Sequence, residues 1–266
     1  MTAVARARRA ATCLRLALLL AALVAVPAEA QRGGRGRPRF EEPGENPPYD
    51  GRWTFVRIRY EMGLAAGAGG SRGGFDVPWS HDYPRGERNF AQIVGELTTV
   101  RTRPMQHAVL RLDDPQLFRY PIAYMAEPGY WSPSESEVLG LSTYLRKGGF
   151  IIFDDFRDQA WLNLERQMRR VLPELRFIRI DGTHPIFDAF YRVPDPEALQ
   201  SYGRAQPTFW AIFEDNDPRK RLLALANRDN DLSEFWEFTG QGFFPVDLTN
   251  EAYKLGINYL VYALSR

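Results

Sequence analysis

Three strand-like stretches of this chain run into carboxylates: Ala108 to Leu112 into Asp113 and Asp114, Pro121 to Ala126 into Glu127, and Phe150 to Phe153 into Asp154 and Asp155. Phe150 to Phe153 reads as a strand buried on both faces, and charge begins where that strand leaves the core. In an open α/β sheet, ligands bind at that carboxyl edge. Four or five carboxylates gathered in one cleft suit a hard divalent cation such as magnesium, calcium or manganese, with Asp154, Asp155 and Glu127 as candidate ligands. Two carboxyls sharing one proton would instead supply an acid and a base. The plainer role for Asp113-Asp114-Pro115 and Asp154-Asp155-Phe156 is to cap adjoining helices and turns.

Other polar groups are placed to join such a cleft. Arg57 and Arg59 alternate on the predicted strand Trp53 to Tyr60 and so share a face, where burial calls for carboxylate partners or an anionic ligand. Tyr83, Arg88 and Asn89 stand at a helix N-terminus, a natural anion site, and the glycine-rich loop Gly63 to Phe75 before them has the length of a lid. Gly69-Gly70-Ser71-Arg72-Gly73 satisfies G-x-S-x-G, but no buried strand precedes Ser71, so it reads as loop. His81 and His107 flank the first helix without the two-histidine spacing of a zinc hydrolase. His184, before Pro185, is either a base or ligand or a loop histidine bonded to backbone. Asn227 to Glu237 gathers Asp229, Asp231, Glu234 and Trp236 into a polar loop suited to sugar recognition or to plain surface.

The elements that must position these groups alternate in period. Phe90, Ile93, Val94 and Leu97 fall at i, i+3, i+4, i+7 on the first helix. Ser132-Pro133-Ser134-Glu135 predicts a capping box with proline at the first helical position, opening a helix that buries Val138, Leu141 and Leu145 and stops at Gly148. Phe150 to Phe153 is expected to be central. Asp158 is placed to cap a helix striped by Trp161, Leu164, Met168 and Val171. Phe177 to Ile180, Thr208 to Phe213 and Arg221 to Ala226 supply further strands. The turn Glu214-Asp215-Asn216-Asp217-Pro218 joins the last two into a hairpin. A closing helix runs from Glu251 to Leu264. Strands alternating with amphipathic helices predict a mostly parallel sheet covered on both faces, a three-layer α/β sandwich.

The first thirty residues belong to a different problem. Arg6, Arg8, Arg9 and Arg15, then apolar Leu16 to Val26, then Ala28-Glu29-Ala30 read as a secretory signal peptide cut after Ala30. The apolar run is short of the ~20 residues a bilayer span needs, so no stable span is expected once the leader is cut. Residues 31–51 are rich in Gly, Pro and Arg and read as a flexible linker, leaving 52–266 as a single domain. The whole chain has 34 basic and 33 acidic residues; without the leader's four arginines and one glutamate, 30 face 32. That balance excludes a nucleic-acid footprint. The single cysteine, Cys13, lies in the leader, so the exported protein has no thiol chemistry.

The ordered series Phe55 to Tyr60, Asp82-Tyr83-Pro84, Arg88-Asn89-Phe90, Leu112 to Pro115, Glu127-Pro128-Gly129, Gly148 to Phe156, His184 to Phe187 and Asn250 to Tyr259 resembles the bacterial domain of unknown function 4159 over essentially all of 52–266. The resemblance implies a flavodoxin-like, class I glutamine amidotransferase-like fold, akin to the trehalose-utilisation (ThuA-like) group. It implies the genomic company of MoxR-type ATPases and von Willebrand factor A domain proteins, hence a membrane-associated complex. It brings no established activity. Glutamine hydrolysis on that fold needs a cysteine at a strand-to-helix turn, where this chain has Asp154 and Asp155, so a glutaminase is excluded. The expectation is a periplasmic or extracellular domain of the cell envelope that binds a ligand or a partner protein. The alternative is a carboxylate- or divalent-metal-dependent hydrolase or isomerase acting on carbohydrate.

Overall fold

Among the described residues seven strands pair into one sheet: β1 (Trp53–Ile58), β2 (Thr102–Leu110), β3 (Ile122–Ala126), β4 (Phe150–Phe156), β5 (Ile178–Ile180), β6 (Thr208–Phe213) and β7 (Leu222–Arg228). Their order is β2-β1-β3-β4-β7-β6-β5, so β4 is central as expected. β2, β1, β3, β4 and β7 run parallel, while β6 pairs antiparallel with both β7 and β5. The β6–β7 pair is the expected hairpin. The computed structural model describes residues 41–63, 77–198 and 205–265. The leader with Ala30, most of the expected lid and the G-x-S-x-G motif lie outside those residues.

Five helices cover the sheet: α1 (Arg85–Leu97), α2 (Glu135–Arg146), α3 (Gln159–Val171), α4 (Leu232–Glu237) and α5 (Val246–Leu264). The pleat sends alternate side chains to opposite faces, and each face has its own core. Val56, Ile58, Ile151 and Phe153 pack with Leu141 and Leu145 of α2 and Trp161, Leu164 and Met168 of α3. Phe55, Tyr124, Phe150 and Ile152 pack with Phe90 and Val94 of α1, Phe235 and Trp236 of α4, and Tyr253, Ile257 and Leu260 of α5. The fold is therefore a flavodoxin-like three-layer sandwich. Close approach of α5 to α1 and α4 depends on Gly256, where a Cβ would lie 2.5 Å from Phe90 and 2.7 Å from Trp236. Among the described residues no helix is long and apolar enough to cross a membrane.

Several local expectations shift: β2 runs from Thr102 to Leu110 where Ala108 to Leu112 was expected, and α5 starts at Val246, before the expected Glu251. The helix expected from Ser132 starts at Glu135, with Ser134 as its cap accepting from the Glu137 N–H at 3.3 Å. The hydroxyl that meets a free helix N–H is thus that of Ser134, two residues after Ser132. Asp158 occupies the cap position of α3 but its side chain makes no capping bond. Residues 41–50 carry no helix or strand, yet Asn46 exchanges two hydrogen bonds with Val109 of β2 (2.9 and 2.7 Å). Those bonds satisfy backbone groups on an otherwise open strand edge.

Candidate functional site

The carboxyl edge is shaped by an irregularity in β4. Phe153 pairs with Ala226 and Phe156 with Arg228 of β7, so β4 carries one extra residue between them. Bulges of this kind re-aim a side chain at a strand end. Asp154 keeps the inward direction and is fully buried. It accepts from Tyr124 Oη (2.6 Å), Asn227 Nδ2 (2.9 Å) and the Leu232 N–H (2.8 Å), with Tyr259 Oη holding Asn227 in turn. Asp154 thus ties β3, β7 and the first residue of α4 to the central strand. Burial pushes its carboxyl up to about 6 despite those donors. Asp155 takes left-handed backbone at φ 55°, and its Oδ2 lies 2.7 Å from His81 Nδ1.

Two other segments close over this edge. The first joins β1 to α1: a turn at Pro78–Ser80 leads to His81 and to Asp82, itself at φ 64°. The second is the start of α4, where Asp231 caps the helix by accepting from the Glu234 N–H at 3.1 Å. Ser233 Oγ donates to Asp82 Oδ2, joining the two segments. One ligand atom from each of His81, Asp82, Asp231 and Glu234 lies within 4.8 Å of the others, and His81, Asp155 and Glu127 form a second such group. Glu127 also stands on left-handed backbone, at φ 45°. Three of these carboxylates therefore occupy a conformation that side chains seldom adopt, as is common where strain serves a site.

The electrostatics follow from crowding. Burial opposes charge on His81, yet Asp82 and Asp155 hold its proton so firmly that its pKa is pushed up to about 12. Burial and the Asp82 carboxyl beside it push Glu234 up to about 8. Burial, Asp155 and Asp82 hold Asp231 well above the usual carboxylate range. Asp231 and Glu234 thus relieve the repulsion by holding their protons more firmly than free carboxyls do.

The acidic strand ends expected to meet in one cleft divide. Glu127 and Asp155 meet at His81. Asp113 instead accepts from Arg111 Nε (3.1 Å) and Ser136 Oγ (2.8 Å), and Asp114 caps the turn Pro115–Arg119 through the Gln116 N–H (2.8 Å). Arg57 is buried and paired with Glu87 of α1 at 2.5 Å. β1 ends at Ile58, so Arg59 is exposed, stacked over Trp79. At the start of α1, Tyr83 Oη bonds His107 (2.7 Å), Arg88 pairs with Glu41 (2.8 Å) and Asn89 donates to the Trp236 carbonyl (2.8 Å). Their polar ends hold neighbouring segments together. His184 accepts from the Ile186 N–H (3.3 Å), packs on Phe213 and Tyr262, and lines a separate cavity of about 710 Å³.

His81, Asp82, Asp231 and Glu234 were not singled out together by the sequence. Asn227 to Glu237 is not a surface loop: β7 runs to Arg228 and α4 is buried from Leu232 to Glu237. Leu232, Phe235 and Trp236, at i, i+3 and i+4 after the capping Asp231, carry the helical signal. A three-layer α/β domain with a part-buried histidine–carboxylate cluster at its carboxyl edge is the class that fold and site define. The family described as a domain of unknown function (DUF4159) matches residues 54–264, and the chain belongs to it. No curated protein matches the chain.

Proposed function

We propose that this chain is an exported domain of the cell envelope that binds a positively charged ligand at the carboxyl edge of its sheet. The observation that carries the reading is the surplus of carboxylates over donors around His81: Asp82, Asp155, Asp231 and Glu234 converge there, and His81 is the cation among them. Charge complementarity then favours a metal ion or an organic amine over an anion or a neutral sugar. The leader supports export, and the resemblance to domains that accompany MoxR-type ATPases and von Willebrand factor A domain proteins supports a place in an envelope assembly. Thermal unfolding against a panel of divalent cations, polyamines and neutral sugars tests the reading. A cationic member should raise Tm, and Asp155→Asn should weaken the rise. A response to neutral sugars alone, or to nothing, would overturn it.

A second reading has its own observation. Asp155 stands on left-handed backbone at the turn where an amidotransferase-like fold carries its nucleophile, 2.7 Å from an imidazole. That pair supports a carboxylate-dependent hydrolase or isomerase acting on carbohydrate. Turnover of a sugar substrate that disappears in both Asp155→Asn and His81→Ala would favour it over simple binding.

A further inference from the structure

We propose that His81, Asp82, Asp231 and Glu234 together bind one divalent first-row transition-metal cation, an assignment that rests on the cationic-ligand reading and names its ligand. The four side chains come from two segments far apart in sequence and offer one imidazole and three carboxylates, with ligand atoms within 4.8 Å of one another. Donors held about 2.0–2.2 Å from one cation stand no more than about 4.4 Å apart, so groups within 4.8 Å of one another need shift by only a few tenths of an ångström to close on an ion.

The independent sign is Asp82. Its side chain is only 1% exposed, and among the described residues Oδ1 accepts no hydrogen bond. That oxygen is turned into the cluster, 3.5 Å from His81 Nδ1. A buried carboxylate oxygen without a donor is costly, and a metal ion would satisfy it. The surroundings already orient the donors: Ser233 Oγ holds Asp82 Oδ2, the Glu234 N–H holds Asp231 Oδ1, and Asp155 holds the imidazole of His81. Asp155 occupies Nδ1, which leaves Nε2 of the same ring as the nitrogen to meet a metal; a carboxylate on the other ring nitrogen fixes a metal-binding histidine and raises its basicity. With 36% of its side chain exposed, His81 is the face open to solvent through which an ion would enter.

The donor set also selects the metal. Magnesium and calcium take oxygen ligands, whereas an imidazole among carboxylates suits manganese, iron or zinc. The sequence alone suggested a hard cation held by Glu127, Asp154 and Asp155. In the structure Asp154 already accepts from Tyr124, Asn227 and the Leu232 N–H.

The test is titration of the chelator-treated full chain with manganese and zinc chlorides, read by calorimetry and thermal unfolding, with a polyamine run in parallel. Saturating manganese or zinc, at about 100 times its dissociation constant, should raise Tm by about 5–10 °C. Asp82→Asn and His81→Ala should each weaken binding at least tenfold, while Asp113→Asn leaves it unchanged. His81 is part-exposed, so its replacement guards against a result that reflects misfolding, and circular dichroism checks both variants. Absence of manganese and zinc binding, or binding that persists in both variants, overturns the assignment. If the polyamine binds where the metals do not, the metal site fails and the cationic-ligand reading stands. If neither binds, both fall.

Discussion

Two acidic clusters lie along the carboxyl edge of the same sheet, and they are balanced in opposite ways. In the outer one, where β1 and β2 end, Arg111 contacts Glu61 (2.6 Å), Asp113 (3.1 Å) and Glu137 (3.5 Å), and the Glu61 N–H donates to Glu137. Backbone, hydroxyl and guanidinium donors meet these carboxylates. In the inner one, where β3, β4 and β7 end, His81 faces Asp82 and Asp155, with Asp231 and Glu234 behind them, and Asp82 Oδ1 is left without a donor. The nearby Arg57 gives no relief, because its charge is matched by Glu87. Acidic residues at strand ends are therefore not one feature. Where donors match them they are structure, and where they outnumber donors a buried oxygen is left over.

The sharpest way to break the comparison is to remove the one inner carboxylate that is fully partnered. Asp154→Ala should destabilise the domain by about 3–5 kcal/mol, because Tyr124, Asn227 and the Leu232 N–H would be left buried without an acceptor. Chemical denaturation reads this directly. A loss below about 1 kcal/mol would mean that α4 is held by packing alone. The crowded carboxylates should respond with the opposite sign. Glu234→Gln removes repulsion with Asp82 and should raise the stability of the cation-free protein by about 1 kcal/mol, or about 2–4 °C in Tm, while weakening cation binding. A destabilised Glu234→Gln would show that the inner cluster is already balanced.

The division between clusters was only partly legible in the chain. The strands could be read because their apolar runs are bounded by turn residues, and the hairpin because Glu214 to Pro218 cannot continue a strand. Glu127 and Asp155 could be read because charge follows an apolar run. His81 and Asp82 could not, since the segment from β1 to α1 has no period and reaches the β4 edge only through tertiary folding. Asp231 and Glu234 were read as part of a polar loop, because the helix Leu232–Glu237 has only six residues, too short for an amphipathic window to outweigh the charges around it. The fates of Asp113 and Asp114 turned on Ser136, Arg111 and the Gln116 N–H, partners that strand periodicity does not reveal.

The outer cluster makes a smaller, pH-dependent prediction. Burial pushes Glu137 up to about 7, against the Glu61 N–H and Arg111, which favour its charge. Between its ordinary value of 4.5 and about 7 the folded chain keeps this proton and the unfolded chain has lost it. The unfolded state binds fewer protons there, so the contribution of Glu137 is fully present below pH 4.5 and is lost as pH rises to about 7. Urea midpoints across that window should fall less steeply in Glu137→Gln than in the parent; identical slopes would show that Arg111 keeps Glu137 ionised throughout.

The smallest effect belongs to Asp113. Its partners Arg111 and Ser136 are reached by water, so Asp113→Asn should cost no more than about 1 kcal/mol at low salt and less at high salt. Set beside Asp154→Ala, two strand-end aspartates that look alike in sequence should then differ several-fold in stability. Equal losses would mean that the outer cluster is as tightly built as the inner one, and the distinction between partnered and unpartnered carboxylates would have to rest on cation binding alone.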